Sequence, residues 1–218
     1  MNRSENLRSG FMQDEVEEYI YELLPERDAV VGKMERYAEE HRVPIIGPAV
    51  ARLLSLFAQV SGAKHIFEMG SAIGYSTIWL ARAAGPKGKV HYTDGNPANA
   101  ERAREYFRRA GVAKRINVQV GDALDLVRKT PGKFDLIFND VDKHQYPDAL
   151  RAALPKLRKG GLFITDNTLW SGKAARPAAA DDADTRGVRE LNRLVYASKE
   201  LYPVLIPLRD GVTVCRKL

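Results

Sequence analysis

The architecture follows from one segment, His65-Ile-Phe-Glu-Met-Gly-Ser-Ala-Ile-Gly-Tyr75. An apolar run breaks at glycines and passes into a stretch whose apolar residues recur at helical spacing, which predicts a strand, a turn and a helix that starts near Tyr75. Gly70 and Gly74 permit a tight turn and a close approach of the backbone to a ligand. Such a unit is typical of nucleotide-type sites, although an ordinary glycine turn of an α/β protein has the same pattern.

Two details of this segment argue against a dinucleotide. The glycines follow the spacing Gly70-x-x-x-Gly74 rather than G-x-G-x-x-G. Glu68 lies at the turn, where it would repel a pyrophosphate and attract a cation. S-adenosylmethionine (SAM), with its sulfonium and amino groups, is a ligand of that kind.

Length and composition indicate one globular protein. The chain has 218 residues, of which 44% are hydrophobic and 28% charged, enough for one sizeable core. We expect a single domain over residues 1–218, with a helical cap or interface at 1–62 and a catalytic core at 63–218. No apolar run approaches the roughly 20 residues of a membrane span, and residues 1–8 lack an apolar signal core. A single cysteine, Cys215, excludes an intrachain disulfide, so we expect a cytoplasmic protein without a membrane partner.

The net charge of +6 has two interpretations. It serves solubility, or it serves a polyanionic partner such as RNA. The arginines are spread along helices, as at Arg102, Arg104, Arg108 and Arg109, rather than gathered in a tail.

Alternation of strands and helices predicts a doubly wound parallel sheet with helices on both faces. Three helices come first, at residues 12–24, at 28–41 and after Pro48. The strands after the first are predicted at residues 90–93, 116–120, 134–139 and 162–165. The helices that follow them are predicted at residues 97–109, 122–129 and 146–158, the last one stopping at Lys159-Gly160-Gly161.

The pattern changes after the fifth strand. Residues 171–184 are rich in Ala, Gly and Pro and predict a mobile loop at the mouth of the site. A helix at 185–199 follows. Strands at 202–208 and 212–216 flank Arg209-Asp210-Gly211, a hairpin signal, so the sheet is predicted to close with an antiparallel pair.

Acids mark the carboxyl ends of the first five strands, where ligands of doubly wound sheets bind. They are Glu68, Asp94, Asp122, Asp140 and Asp166. Asp94 stands about 20 residues after the glycine turn, the usual place of an acid that binds ribose hydroxyls; the alternative is a helix cap. Asp122 has the same two interpretations, and the backbone of Ala123, after Gly121, is a further candidate contact.

Asp140, Asp166 and Asn167 offer hard oxygen ligands suited to Mg²⁺. Lys143 lies close in sequence, and a neighbouring cation and partial burial would lower its pKa. A neutral Lys143 could then act as a general base; the alternative is a salt bridge to Asp140 or Asp142. Trp170 and Tyr146 are candidates for stacking on a planar substrate, or for packing.

Three segments together resemble the divalent-metal-dependent O-methyltransferases, which include caffeoyl-CoA and catechol O-methyltransferases. They are Glu68-Met-Gly-Ser-Ala-Ile-Gly-Tyr-Ser, Asn139-Asp-Val-Asp-Lys and Thr165-Asp-Asn-Thr-Leu-Trp-Ser-Gly. The resemblance implies a Rossmann-like sheet of seven strands, the last antiparallel, with SAM over the glycine turn and often a homodimer. It implies Lys143 and Asp140 as catalytic residues and a Mg²⁺ or other divalent ion on Asp140, Asp166 and Asn167. The implied cofactor contacts are Val43, Glu68, Gly70, Ser71, Gly74, Ser76, Asp94, Gly121, Asp122, Ala123 and Asp140.

The acceptor is the open question. The leading expectation is a catechol-like or other vicinal-hydroxyl small molecule. Residues 37–45 and 71–76 also resemble the bacterial branch that methylates 5-hydroxyuridine at the tRNA wobble position, so tRNA is the alternative partner. Against tRNA stand the loop at 171–184, which is short of basic residues, and the lack in the sequence of an assignable basic, aromatic-rich patch. A second alternative is a non-catalytic SAM- or nucleoside-binding protein.

Overall fold

The computed structural model describes residues 12–218, so the prediction made for residues 1–8 lies outside the described part. Its centre is a seven-stranded sheet with the order β3-β2-β1-β4-β5-β7-β6. The strands are β1 (His65–Met69), β2 (Lys89–Asp94), β3 (Ile116–Val120), β4 (Phe134–Asn139), β5 (Leu157–Thr165), β6 (Leu201–Ile206) and β7 (Val212–Lys217). β1 to β5 pair in parallel, whereas β7 pairs antiparallel with both β5 and β6. The predicted fold class and its antiparallel closure are confirmed.

Helices cover both faces of this sheet. In the described residues they are α1 (Asp14–Glu22), α2 (Ala29–His41), α3 (Gly47–Val60), α4 (Tyr75–Ala84), α5 (Pro97–Arg109), α6 (Ala123–Lys129), α7 (Tyr146–Ala153) and α8 (Ala183–Ala197). One core cluster joins α2 to α5 to one face, around Ile66 and Phe138. The other joins α6 to α8 to the opposite face, around Phe67 and Ile137. Strands buried on both sides explain the continuous apolar runs of the sequence.

The strand order reverses between β1 and β4, with β2 and β3 on one side and β5 on the other. At such a switch point the connections leave in opposite directions and open a crevice beyond the carboxyl ends of the strands. The glycine turn after β1 and the acids after β4 and β5 border this crevice. The topology alone therefore places the predicted site residues at one edge of the sheet.

The predicted helix at 146–158 is wrong in its second half. α7 ends at Ala153, and Gly160 and Gly161 lie inside β5 rather than at a helix stop. The pairing of β4 with β5 shifts register between Phe134 and Leu136, and Gly160 has φ +75°. A β-carbon on Gly161 would lie 2.9 Å from the Asp135 carbonyl oxygen, so the glycines serve a strand irregularity and a close approach of two backbones.

The N-terminal helices pack on the helices of the sheet. α3 contacts α4, and α2 contacts α5. The single-domain interpretation, with its division after residue 62, stays a prediction. Within residues 12–218 no helix has the length and apolarity needed to cross a membrane.

Candidate active site

A cleft of about 1080 Å³ opens at the carboxyl edge of the parallel strands. It brings together residues from the turns after β1, β2, β3, β4 and β5. The predicted site residues that line it are Val43, Gly70, Asp94, Gly121, Asp122, Ala123, Asp140, Lys143, Asp166, Asn167 and Trp170. Residues far apart in sequence thus share one space, as the parallel topology predicts.

Glu68 lies beneath the cleft rather than on its wall. Its side chain is fully buried in β1, and the Thr77 hydroxyl donates a short hydrogen bond to its carboxylate. Burial raises the pKa of Glu68 to about 7, although the hydroxyls of Ser76, Thr77 and Ser71 partly oppose the shift. Its expected direct attraction for a cationic ligand is therefore not supported by its position.

Ser71, Gly74 and Ser76 do not line the cleft either. Ser71 and Ser76 are buried, and the Ser71 hydroxyl accepts a hydrogen bond from the Thr93 amide. Gly74 has φ +83°, and a β-carbon there would meet the Phe107 ring at 2.5 Å. Close packing of the turn on α5, rather than close approach of a ligand, explains this glycine.

Asp94 ends β2 and ties the glycine turn to the next helix. One carboxylate oxygen accepts from the Ala72 amide at 2.9 Å, and the other accepts from the Asn96 amide at 2.8 Å and the Asn99 side chain at 3.1 Å. The N-cap of α5 is Asn96, whose side chain accepts from Ala98. The segment Asp94-Gly-Asn-Pro97 thus caps α5 through Asn96, with Asp94 accepting from the Asn96 amide. The ribose interpretation stays a prediction for an acid that lines the cleft.

Asp122 combines both of its interpretations. It is the N-cap of α6, accepting from the Asp125 amide at 2.8 Å, and it lines the cleft with Gly121 and Ala123.

Three potential ligand side chains have one atom engaged and one oxygen left over. Lys143 Nζ donates to Asp140 Oδ1 at 2.9 Å, and Arg209 Nη1 donates to Asp166 Oδ2 at 3.0 Å. The Asn167 Nδ2 group donates to Asp210 Oδ2 at 3.1 Å. Asp166 Oδ1 is buried without a hydrogen-bond partner in the described residues.

This donor set fits a hard divalent cation. Asp140 Oδ1 and the Asn167 amide nitrogen are the atoms engaged in the hydrogen bonds above, and within residues 12–218 Asp166 Oδ1 is an orphaned buried acceptor of the kind that a cation satisfies. No group of three His, Cys, Asp or Glu side chains in that range could hold a metal. A metal here would therefore need the amide oxygen of Asn167 as its third protein ligand.

The electrostatics of the metal-free site favour a charged Lys143. Burial alone would lower its pKa, but the charges of Asp140 and Asp166 and the hydrogen bond to Asp140 raise the pKa above its ordinary value. The Lys143 ammonium also lies 5.5 Å from the Tyr146 ring centre and 5.7 Å from that of Trp170, contacts that favour its charged form. Without a metal, Lys143 is an ammonium in a salt bridge, which was the alternative interpretation.

The two aromatic candidates occupy different places. Trp170 is half-buried on the cleft wall, so its stacking role stays a prediction. Tyr146 is fully buried in the core, and its hydroxyl donates to the Asp166 carbonyl oxygen at 2.8 Å. The interpretation of Tyr146 as a stacking surface is wrong, because no face of its ring reaches the cleft; it supports Asp166 from below.

The loop predicted at 171–184 is shorter and better anchored than expected. Its last residues belong to α8, and Arg189 and Arg186 of that helix donate to loop carbonyl oxygens of Ala174 and Ala179. α8 also approaches the turn that carries Lys143, since a β-carbon on Gly187 would lie 2.2 Å from the Lys143 carbonyl oxygen. This helix therefore helps to place Lys143.

Sequence reasoning missed several residues of the cleft. They are Arg42, Ile45, Ala72, Asn99, Arg209 and Asp210. Arg209 and Asp210 were interpreted only as a hairpin signal, and nothing local in the sequence indicates that this turn folds over the ends of β4 and β5. Their partners in space are set by the antiparallel insertion of β7 beside β5.

Fold and cleft together define a doubly wound α/β enzyme class that binds a nucleoside-type ligand at the switch point of its sheet. The sequence profile of the O-methyltransferase family matches residues 27–218. A protein from Niastella koreensis named catechol O-methyltransferase is 34% identical over 191 residues, covering 85% of this chain and 86% of that protein.

Two solved structures are similar over nearly the whole chain. An O-methyltransferase from Bacillus cereus in complex with SAH has a TM-score of 0.85 at 27% identity, with 94% of this chain and 97% of that chain covered. An O-methyltransferase from Streptomyces achromogenes involved in tomaymycin synthesis, in complex with SAM, has a TM-score of 0.84 at 28% identity, with 100% and 99% covered. The chain belongs to the O-methyltransferase family.

Proposed function

We propose that this protein transfers the methyl group of SAM to a hydroxyl of a catechol-like or other vicinal-hydroxyl small molecule, with Mg²⁺ or another divalent cation as cofactor. The observation that carries the proposal is that one cleft is lined by two kinds of group. Asp94, Ala72 and Gly70 suit a nucleoside, and Asp140, Asp166 and Asn167 with Lys143 form an oxygen-rich set. The relative named catechol O-methyltransferase and the SAM- and SAH-bound structural neighbours support it.

The residues of the chain position the two reactants. Asp94 and the backbone at Ala72 and Gly70 hold the nucleoside portion of SAM, whose sulfonium supplies an electrophilic methyl group. Trp170 forms an apolar wall for a planar acceptor. Holding two reactants at contact distance in the correct orientation supplies much of the rate enhancement of such a transfer.

The oxygen-rich set manages the acceptor hydroxyl. Asp140, Asp166 and Asn167 would hold the divalent cation, which supplies positive charge that makes a hydroxyl of the acceptor more acidic. Lys143, about 85% buried as a side chain, lies on the same turn as Asp140. It can accept the hydroxyl proton only after losing its own, because it is an ammonium in the metal-free protein.

The test is methyl transfer from labelled SAM to a panel of catechols and other phenols, with Mg²⁺ or with chelator. We expect transfer with Mg²⁺ and its loss with chelator. Asp140→Ala should lose both activity and the response to Mg²⁺, whereas Asp148→Asn, at an exposed salt bridge with Arg151, should retain both. Full activity in excess chelator would refute the metal-dependent part of the proposal.

tRNA is a second candidate acceptor, and a small basic, aromatic group next in sequence to the cleft residue Arg42 supports it. The Tyr37 ring stacks on His41 with ring centres 4.0 Å apart, and the Arg102 guanidinium lies 4.2 Å from the Tyr37 ring centre. Arg42, next in sequence, lines the cleft. Cations beside aromatic rings suit phosphates and unstacked bases, so this small group supports the tRNA alternative that the sequence left open.

Arg102→Glu separates the two acceptors. If tRNA is the substrate, this change should lower methylation of hydroxyuridine-containing tRNA and leave phenol methylation unchanged. Arg109→Glu, on the same helix but paired with Glu105, is the matched control. Equal tRNA methylation by both variants would remove the stack from consideration.

A non-catalytic SAM- or nucleoside-binding protein is the third possibility carried from the sequence. It has no need of a buried lysine beside an oxygen-rich cluster. This possibility would be dismissed if the protein methylates any acceptor and if Lys143→Ala loses that activity but still binds SAM.

We also propose a homodimer that acts in the cytoplasm. Val60 on α3 and Tyr202 on the edge strand β6 are 74% and 65% exposed. Both lie near Arg216, because Val60 and Arg216 line the same groove and Tyr202 pairs with Arg216 between β6 and β7. An exposed edge strand beside apolar side chains suits pairing with a second copy. Val60→Asp should shift the mass measured by light scattering to that of a monomer.

The buried free thiol of Cys215 suits a reducing compartment.

A further inference from the structure

The turn between β6 and β7 lies against the loop that carries two of the proposed cation ligands. Two neighbouring residues of the turn, Arg209 and Asp210, contact two neighbouring residues of the loop, Asp166 and Asn167. Arg209 and Asp166 form this pair with side chains only 10% and 1% exposed. The contact is therefore largely shielded from solvent, although its four residues line the cleft.

The donor and acceptor chemistry of each pair determines which atoms of Asp166 and Asn167 form no hydrogen bond with the turn. A guanidinium only donates, so Arg209 engages Asp166 Oδ2 and leaves Oδ1 without a partner in the described residues. An ionised carboxylate only accepts, so Asp210 must face the Asn167 Nδ2 group and turns the amide oxygen the other way. An asparagine amide that could otherwise be flipped is fixed by its acidic partner.

The same turn holds the loop backbone. The Thr168 amide donates to the Gly211 carbonyl oxygen and the Leu169 amide to the Asp210 carbonyl oxygen, both at 2.9 Å. The Ser171 amide donates a short hydrogen bond to Asp210 Oδ1. A β-carbon on Gly211 would lie 2.7 Å from the Leu169 nitrogen, so glycine permits this contact.

We infer that Arg209 and Asp210 are positioning residues that present Asp166 Oδ1 and Asn167 Oδ1 to the divalent cation. The inference rests on the proposed metal dependence and adds the residues that prepare the site. Asp210 contributes most, because it both orients the Asn167 amide and, through Ser171, holds the loop that bears Trp170. Loss of an orienting partner of this kind lowers metal affinity by about 10- to 100-fold.

Asp210→Asn tests the role of the carboxylate. The variant side chain offers a donor as well as an acceptor, so the Asn167 amide is free to flip and turn its nitrogen toward the cation. We expect at least tenfold weaker Mn²⁺ binding, measured by calorimetry without acceptor, and SAM affinity within about twofold of wild type. Asp135→Asn, a carboxyl group that accepts hydrogen bonds at the opposite edge of the sheet, is the matched control and should bind Mn²⁺ like wild type.

A reciprocal pair distinguishes orientation from loss of stability. In the Asn167→Asp background two carboxylates face each other, so adding Asp210→Asn restores a donor–acceptor pair and should strengthen Mn²⁺ binding. Asp210→Asn should thus weaken Mn²⁺ binding in the wild-type protein and strengthen it in the Asn167→Asp variant. A general loss of stability would weaken Mn²⁺ binding in both. A change in Mn²⁺ affinity of the same direction in both backgrounds, or Mn²⁺ binding by Asp210→Asn equal to wild type, would overturn the inference and leave the proposed metal dependence standing. A wild-type protein that binds no Mn²⁺ would overturn both the inference and the proposed metal dependence.

Discussion

The two edges of the parallel sheet satisfy their polar groups in different ways. At the amino edge, Asp135 accepts from the amides of Lys64 and His65, each at 2.8 Å, and from Arg158. At the carboxyl edge several buried polar atoms have no hydrogen-bond partner in the described residues. These atoms are Glu68 Oε1, Asn139 Oδ1 and Nδ2, Thr165 Oγ1 and Asp166 Oδ1.

The difference also appears in the pKa values of the two edges. Burial opposes ionisation of Asp135, but the hydrogen bonds from His65, Arg158 and Lys64 outweigh it, and the pKa of Asp135 is lowered. Burial dominates at Glu68 and raises its pKa to about 7. An unsatisfied buried polar atom costs stability, so the amino edge serves folding, whereas the carboxyl edge keeps groups ready for ligands.

The largest expected effect is on catalysis by Lys143 at the carboxyl edge. Lys143→Ala should lower methyl transfer by roughly 10²- to 10⁴-fold, the usual contribution of a general base, with SAM affinity nearly unchanged. The control is Lys133→Ala at the amino edge, where the ammonium donates to the Pro155 carbonyl oxygen. Initial rates and SAM calorimetry on both variants decide the matter; similar rates for the two would exclude Lys143 as the base.

The second effect is a pH dependence of stability caused by Glu68. Its carboxyl group stays protonated in the folded state up to a pH of about 7 but ionises near 4.5 in the unfolded chain, so its contribution is lost as the pH rises between these values. The loss is up to about 3 kcal/mol by pH 8, at about 1.4 kcal/mol per pH unit.

Comparison with Glu68→Gln isolates this contribution, because the amide does not titrate. Relative to wild type, Glu68→Gln should gain stability in urea unfolding as the pH rises from 4 to 8. Asp135 is the opposite case, since a lowered pKa gives a contribution that is lost as the pH falls. A difference between wild type and Glu68→Gln that does not change with pH would contradict the raised pKa.

The third effect compares two glycines with similar positive φ angles. Gly70, at the carboxyl edge, has φ +80° and would place a β-carbon 2.5 Å from the Asp140 carbonyl oxygen, whereas Gly132, at the amino edge, has φ +87° and open space. Left-handed strain of about 1–2 kcal/mol is common to both alanine variants. Crowding adds about 1–3 kcal/mol at Gly70 only.

Urea unfolding of Gly70→Ala and Gly132→Ala measures that difference. Because the Asp140 backbone must move in Gly70→Ala, SAM affinity should fall as well, and Gly132→Ala should leave it unchanged. Equal losses of stability in Gly70→Ala and Gly132→Ala would show that the Asp140 turn moves aside without a measurable free-energy cost.

The sequence predicts those parts of the site that follow directly from strand ends. Asp94, Asp122, Asp140 and Asp166 each end or follow a strand, and the parallel order brings them to one cleft. Arg209 could not be predicted as their neighbour, because its contact with Asp166 depends on how the last hairpin folds over the sheet. Tyr146 was left open between stacking and packing, because an aromatic side chain beside a site serves either, and the structure buries it. The Gly160–Gly161 pair was misjudged because a helix stop and a strand irregularity use the same residues.

The smallest effect concerns Asn139, whose side chain is fully buried in register with Thr165. Asn139→Val removes two polar atoms without partners, and we expect it to be neutral or to stabilise the fold by about 1 kcal/mol, because an unpaired buried amide costs more than it contributes. Thr165→Val, which has nearly the same shape, should behave alike. A loss of more than about 1 kcal/mol in either variant would mean that these atoms are bonded in solution, for example through a buried water. If stability rises while methyl transfer falls, Asn139 and Thr165 serve the site and lower the stability of the fold. Such a result would extend the contrast between the two edges to single buried side chains.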